Sequence, residues 1–117
     1  MISAGSLFAQ ICHETAYLQF GGQVKASQCN FGGLGALDGG SGGAAFADVR
    51  TGVRAQVQHL KAYASTNPLV NNCIDDRFRY ISRGSAEYVQ QLGKGNWATD
   101  TSYDTKLMVY IKKMLAS

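Results

Sequence analysis

Charge is scarce in this sequence, and its first 47 residues carry only Glu14, Lys25 and Asp38. Only 16% of the 117 residues are charged, and proline occurs once. A net charge of +3 is too weak for DNA binding, where clustered Arg and Lys must neutralise several phosphates, so no nucleic-acid partner is expected. The mild basic bias suits an acidic polymer such as a bacterial envelope. No apolar run approaches the roughly eighteen residues of a membrane span, and the opening MISAGSLFAQ lacks the basic flank and apolar stretch of a signal peptide. A soluble chain without membrane insertion is expected, with any export signal outside it.

Metal and cofactor signatures are missing as well. Cys12, Cys29 and Cys73 are an odd number, so at most one internal disulfide forms and buried free thiols are expected. No C-x-x-C or H-x₃-H spacing pre-arranges ligands. His13-Glu14 opens like the zinc motif H-E-x-x-H, but Tyr17 stands where the second histidine belongs, so no metal site is expected. From Gly33 the chain runs G-L-G-A-L-D, with Asp38 in place of the last glycine of a dinucleotide fingerprint, and no G-K-S/T occurs. No cofactor is expected. A cysteine paired with His13 or His59 has no nucleophile motif behind it.

What the sequence does contain is material for one domain, residues 1–117, with 45% hydrophobic residues. A chain of this size buries roughly two-thirds of its unfolded surface, which favours an open groove over a deep cavity. Leu7, Phe8, Ile11, Thr15 and Leu18 recur at helical spacing and predict a first helix over Ser6–Leu18, capped by Ser3 or Ser6 and ended by Gly21-Gly22. Nine glycines between residues 21 and 43 separate short apolar stretches, which predicts a glycine-tipped β-hairpin or irregular β lobe. Val49, Val53, Val57, Leu60 and Ala64 predict the buried stripe of a second helix, with Asp48 as N-cap. Ser85–Leu92 suggests a short helix, and Thr101–Leu115 a last one with Tyr103, Leu107, Ile111, Met114 and Leu115 on one side. Asp100 is its expected N-cap. The expected fold class is α+β, mainly α, with about four helices and a small β element.

Glu14 stands out against this background. It falls late in an otherwise uncharged helix, followed by Thr15, Tyr17 and Phe20, so its carboxyl is expected to project into a partly apolar cleft. Desolvation there favours the neutral form, and a carboxyl still protonated near neutral pH can donate a proton to a glycosidic oxygen.

Three separated stretches carry a resemblance: Ala9-Gln10-Ile11-Cys12-His13-Glu14-Thr15, then Asn30-Phe31-Gly32-Gly33-Leu34-Gly35, then Trp97-Ala98-Thr99-Asp100-Thr101-Ser102-Tyr103. In this order they resemble the motifs of the glucosaminidases of glycoside hydrolase family 73, peptidoglycan hydrolases with a lysozyme-like fold. The stretch Phe46–Leu60, leading into a helix that carries His59, resembles the segment after that family's β lobe. The resemblance implies that Glu14 is the catalytic acid for the β-1,4 bond between N-acetylglucosamine and N-acetylmuramic acid. It implies that Asn30 and Phe31 shape the cleft floor and that Trp97 and Tyr103 lie near the acid and the sugar ring, where aromatic faces stack on pyranose C–H groups. Ordinary core packing is the other reading of both rings, and a hydrogen-bonded packing role is expected for His59.

The chain departs from the family pattern at the second carboxylate. Between residues 30 and 50 it offers only Asp38, on the glycine hairpin, and Asp48, the expected helix cap. An inverting reaction needs the two carboxyls roughly 6.5–9.5 Å apart and a carboxylate nucleophile about 5–5.5 Å, whereas attack by the substrate's own acetamido oxygen needs no second nucleophile. The expected partner is the peptidoglycan glycan strand, acted on by a monomer outside the cell or in the wall. The chain is then an autolysin domain exported by a signal elsewhere, or part of a phage lysin. Two further readings stay open: a non-catalytic wall-binding module, and a muramidase or lytic transglycosylase on the same fold.

Overall fold

The computed structural model describes residues 4–20, 24–35, 43–93, 96–98 and 100–116. Three α-helices carry it: α1 (Ala4–Thr15), α2 (Val49–Ala64) and α3 (Tyr103–Ala116). Single 3-10 turns lie at Ala26–Gln28, Phe78–Tyr80 and Val89–Gln91. Helices α1 and α3 pack on each other. The core gathers Ala9 of α1, Leu60 and Tyr63 of α2, Ala86, Val89 and Leu92 of the connecting segment, and Tyr103 and Leu107 of α3.

Several expectations are corrected. The first helix ends at Thr15, well before the glycines, because the Thr15 hydroxyl takes over the helix end. Its Oγ1 donates to the Ile11 carbonyl at 2.5 Å and accepts from the Leu18 N–H at 2.8 Å. Ala16, Tyr17, Leu18 and Phe20 then take left-handed φ values of 49°, 58°, 67° and 53°, costly for residues with a Cβ. Ser6 lies inside α1 and is not its cap. Phe8 and Leu18 of the expected stripe are 54% and 60% exposed, while Ser6, Ala9, Gln10 and Thr15 are buried.

The stripe expected on α2 holds at Leu60, which is in the core, but not at two of its valines. Val49 and Val57 face water, and Gly52, Ala55, Gln56, Gln58 and Tyr63 are buried. Buried amides stand where the valines are expected, and each donates a hydrogen bond, although the Gln56 Oε1 is left without a partner among the described residues. Gln56 Nε2 donates to Gln10 Oε1 at 3.2 Å, and Gln58 donates to the Asn72 carbonyl and accepts from the Ile74 N–H, both at 2.9 Å. Gly52 is demanded by a close crossing, since a Cβ there would stand 1.8 Å from the Cys29 carbonyl oxygen.

Asp48 is the N-cap of α2 as expected, its Oδ1 accepting from the Thr51 N–H at 2.8 Å. The Ser85–Leu92 helix shrinks to the 3-10 turn at Val89–Gln91. In α3, Tyr103 and Leu107 are buried, but Leu115 is 81% exposed. Asp100, expected as the cap of α3, stands three residues before its first residue, where its Oδ1 accepts from the Ser102 N–H at 2.8 Å within the preceding turn. All three cysteines are free; Cys12 is buried, whereas Cys73 is exposed.

The described residues contain no β-strand, so the expected hairpin lobe is not seen among them. Its glycine tip, residues 36–42 with Asp38, lies outside the described residues. The arms on either side form a loop held by side-chain amides. Asn30, 1% exposed, donates to the Leu34 and Ala44 carbonyls and accepts from the Leu34 N–H, at 2.9, 3.0 and 2.9 Å. Backbone bonds Ala44 N–H to Leu34 O and Phe46 N–H to Gln28 O close it at 2.9 and 2.8 Å.

Candidate active site

Glu14 sits in the last turn of α1, one helical turn beyond Gln10, so both side chains leave the same face. That face meets the start of α3, where Tyr103 is 1% exposed. Together with Gln56 of α2 the three residues form a directed chain. Gln56 Nε2 donates to Gln10 Oε1, Gln10 Nε2 donates to the Tyr103 hydroxyl at 3.0 Å, and the hydroxyl hydrogen-bonds the Glu14 carboxyl. Burial pushes the Tyr103 phenol far up, and the Glu14 charge adds to this, so Tyr103 keeps its proton and acts as donor to the carboxyl.

The other wall is backbone. Gly33 has φ +68°, and a Cβ there would stand 2.8 Å from Glu14 Oε2. Gly32 is equally confined, with Gln56 Cγ at 2.9 Å and Trp97 Cζ2 at 3.1 Å from where its Cβ would be. Trp97 fixes this loop by donating its indole N–H to the Gly32 carbonyl at 3.1 Å. Trp97 is held in turn by its own N–H to the Leu92 carbonyl and by the His59 ring, perpendicular to it at 4.7 Å. The His59 Nδ1 bonds the buried Asp75 carboxylate at 2.6 Å.

Glu14 is therefore crowded by protein on most sides, although the residue as a whole counts as exposed. Both descriptions fit a carboxyl packed against Tyr103 and Gly33 on a residue whose remaining surface meets water. Burial raises its pKa to about 7, and the Tyr103 hydrogen bond opposes that rise by favouring the ionised form. Neither ion pair among the described residues involves Glu14. His13, its neighbour, stacks edgewise on Tyr103 and Tyr110 at 5.5 and 5.9 Å, and its pKa is lowered mainly by burial and further by Lys106. A neutral His13 supplies no cation to hold Glu14 ionised at neutral pH.

This arrangement can keep a carboxyl half protonated near pH 7 and then stabilise the carboxylate left after proton donation, because the Tyr103 donor already points at it. The expected site residues take different places around it. Tyr103 touches Glu14, and Trp97 reaches it through Gly32 and the adjoining Gly33. Phe31 belongs to the same loop and packs edgewise on Phe20 at 6.0 Å. Asn30 has its amide turned to the backbone, where it shapes the loop that carries Gly33. Asp48 lies on the surface, its carboxyl held well below the usual range by its hydrogen bond to Thr51. Gln10, Gln56 and Gly33 were not anticipated as site residues; the four-residue spacing of Gln10 and Glu14 was the one available signal. Among the described residues no cluster of three potential metal ligands occurs, and no helix is long and apolar enough to cross a membrane.

The chain is 40% identical over 108 residues to an uncharacterized protein of Borreliella burgdorferi, a match covering 92% of this chain and 52% of that protein. It thus spans about half the length of the curated relative. No solved structure matches it. Residues 1–116 match the family described as mannosyl-glycoprotein endo-beta-N-acetylglucosaminidase. That match takes in all three motifs that converge on Glu14, and the chain belongs to this glucosaminidase family of glycoside hydrolases.

Proposed function

We propose that this domain hydrolyses peptidoglycan as an endo-β-N-acetylglucosaminidase, cleaving the β-1,4 bond between N-acetylglucosamine and N-acetylmuramic acid with Glu14 as general acid. The observation that carries the reading is the Glu14 carboxyl itself, raised to about 7 against Tyr103 and the Gly33 backbone. A protonated carboxyl on a residue that reaches the surface suits a polymer that must lie across the site. Proton transfer from Glu14 to the glycosidic oxygen releases the leaving sugar as the anomeric carbon gains positive charge. Tyr103 then holds the carboxylate that remains.

The second group is Asp38 or Asp48, unless the substrate acetamide serves as nucleophile. Asp48 already caps α2, which favours Asp38. Asp48→Asn separates these roles, because asparagine caps a helix as well as aspartate does and only a catalytic carboxylate would be missed. The domain is proposed to act as a monomer outside the cell or in the wall.

Purified protein incubated with cell walls should release new reducing ends. Borohydride reduction and mass spectrometry should find them on glucosamine. Ends on muramic acid would make the domain a muramidase, and anhydro-muramic products a lytic transglycosylase. Glu14→Gln should abolish turnover while cosedimentation with walls persists. Full activity of that variant would reject the assignment, and wall binding without turnover by the unaltered protein would favour a binding module.

A further inference from the structure

A concavity of about 470 Å³ has residues 34–35 and 43–46 on one wall and residues 75–77 and 79–80 on the other. Both walls are anchored by buried side chains. Asn30 ties Leu34 to Ala44 on the first, and on the second Gln58, 4% exposed, accepts from the Ile74 and Asp75 N–H groups while His59 holds Asp75. The groove is therefore preformed, which lowers the ordering cost of binding.

Its walls carry Arg77 and Arg79 together with Asp75 and Asp76. Arg77 lies over Gly35, where a Cβ would be 3.3 Å from both its Nε and Nη2. Gly35 has φ +73°, so two separate constraints keep that position bare. Arg79 is already engaged, donating to the Tyr80 hydroxyl at 3.0 Å and lying over the Tyr80 ring. Arg77 is exposed, and neither ion pair among the described residues involves it. Asp75 is committed to His59, leaving Asp76 as the exposed carboxylate of the described lining. The groove thus presents an open guanidinium fork suited to a carboxylate.

Its position ties it to Glu14. Gly33 abuts the Glu14 carboxyl and Gly35 abuts Arg77, and their Cα atoms can be at most about 7 Å apart. A glycan lying across Glu14 would therefore carry its substituents past Arg77. We propose that this groove binds the peptide stem borne by the muramic acid residue, with Arg77 gripping a stem carboxylate, so that the domain selects peptide-substituted over naked glycan. This inference rests on the peptidoglycan reading above.

Binding and turnover together test it. A soluble disaccharide–tripeptide and the same disaccharide without its peptide are titrated by calorimetry into protein carrying Glu14→Gln, which holds either ligand uncleaved. The peptide-bearing ligand should bind at least about ten-fold more tightly, the scale of one charge-assisted hydrogen bond. Adding Arg77→Gln should erase that difference, Arg77→Lys should restore part of it, and Lys112→Gln, an exposed charge on α3, should leave it intact. With the unaltered catalytic residue, Arg77→Gln should raise KM for peptide-bearing strands, leaving kcat and the cleavage of amidase-stripped strands unchanged. Equal affinity for the two ligands, or an equal loss on both when Arg77 is replaced, overturns the proposal. Arg77-dependent peptide binding without cleavage of any glycan would keep the subsite and reject the hydrolase reading; cleavage with no peptide dependence would do the reverse.

Discussion

Replacing Gly33 by alanine should disable the site while leaving the fold largely intact. Two effects follow from one methyl group. The residue must hold φ +68° with a Cβ, which costs about 1–2 kcal/mol. The new Cβ would also stand 2.8 Å from Glu14 Oε2, and reaching an ordinary contact of 3.4 Å requires the carboxyl to retreat by about 0.6 Å. Because a misplacement of about 1 Å can cost roughly a hundred-fold in rate, a loss of about ten-fold or more in kcat is expected. Gly84→Ala supplies the matched control. Gly84 has φ +72° and would press only on Thr66 Cγ2 at 3.2 Å, so it shares the backbone strain without the contact to Glu14. Thermal melts should show similar destabilisation of the two variants, whereas reducing-end release should collapse only in Gly33→Ala. Equal activity of the two variants at a temperature where both are folded would refute the idea that the glycine backbone seats the acid.

Tyr103→Phe removes the donor to Glu14 and strands the buried Gln10 amide, costing about 1–3 kcal/mol of stability. Since the Tyr103 hydrogen bond lowers the Glu14 pKa, its loss should move the basic limb of the pH–rate profile to higher pH while the maximal rate falls. An unmoved limb would mean that the hydroxyl does not act on the carboxyl. Ala16→Gly should stabilise the domain by about 1 kcal/mol, read from urea midpoints, because Ala16 holds φ 49° with a Cβ. Destabilisation would show that the left-handed turn after α1 is not strained.

The elements most legible from sequence were those governed by local chemistry. Asp48 before a valine-rich run marked the start of α2, and the acid at the end of α1 could be singled out because its helix carries no other charge. Which face each helix buries was not legible. Apolar spacing assigns Val49 and Val57 to the core, but Gln56 and Gln58 occupy it, each donating to a partner remote in sequence. The same blindness hid the Gln56–Gln10–Tyr103 chain, which joins residues 46 and 93 positions apart. Glycine richness was read as a hairpin, whereas Gly32 and Gly33 are glycines because Gln56, Trp97 and Glu14 crowd them. The end of α1 was missed because a threonine hydroxyl stopped the helix before the glycines did.

The most direct measurement is a ¹³C carboxyl NMR titration of the free protein, with the Glu14 resonance assigned by its disappearance in Glu14→Gln. Protein packing that withholds water from this carboxyl should give a midpoint of about 7. A midpoint near the ordinary glutamate value of about 4.3 would contradict the account, because Glu14 would then have no proton to donate at neutral pH.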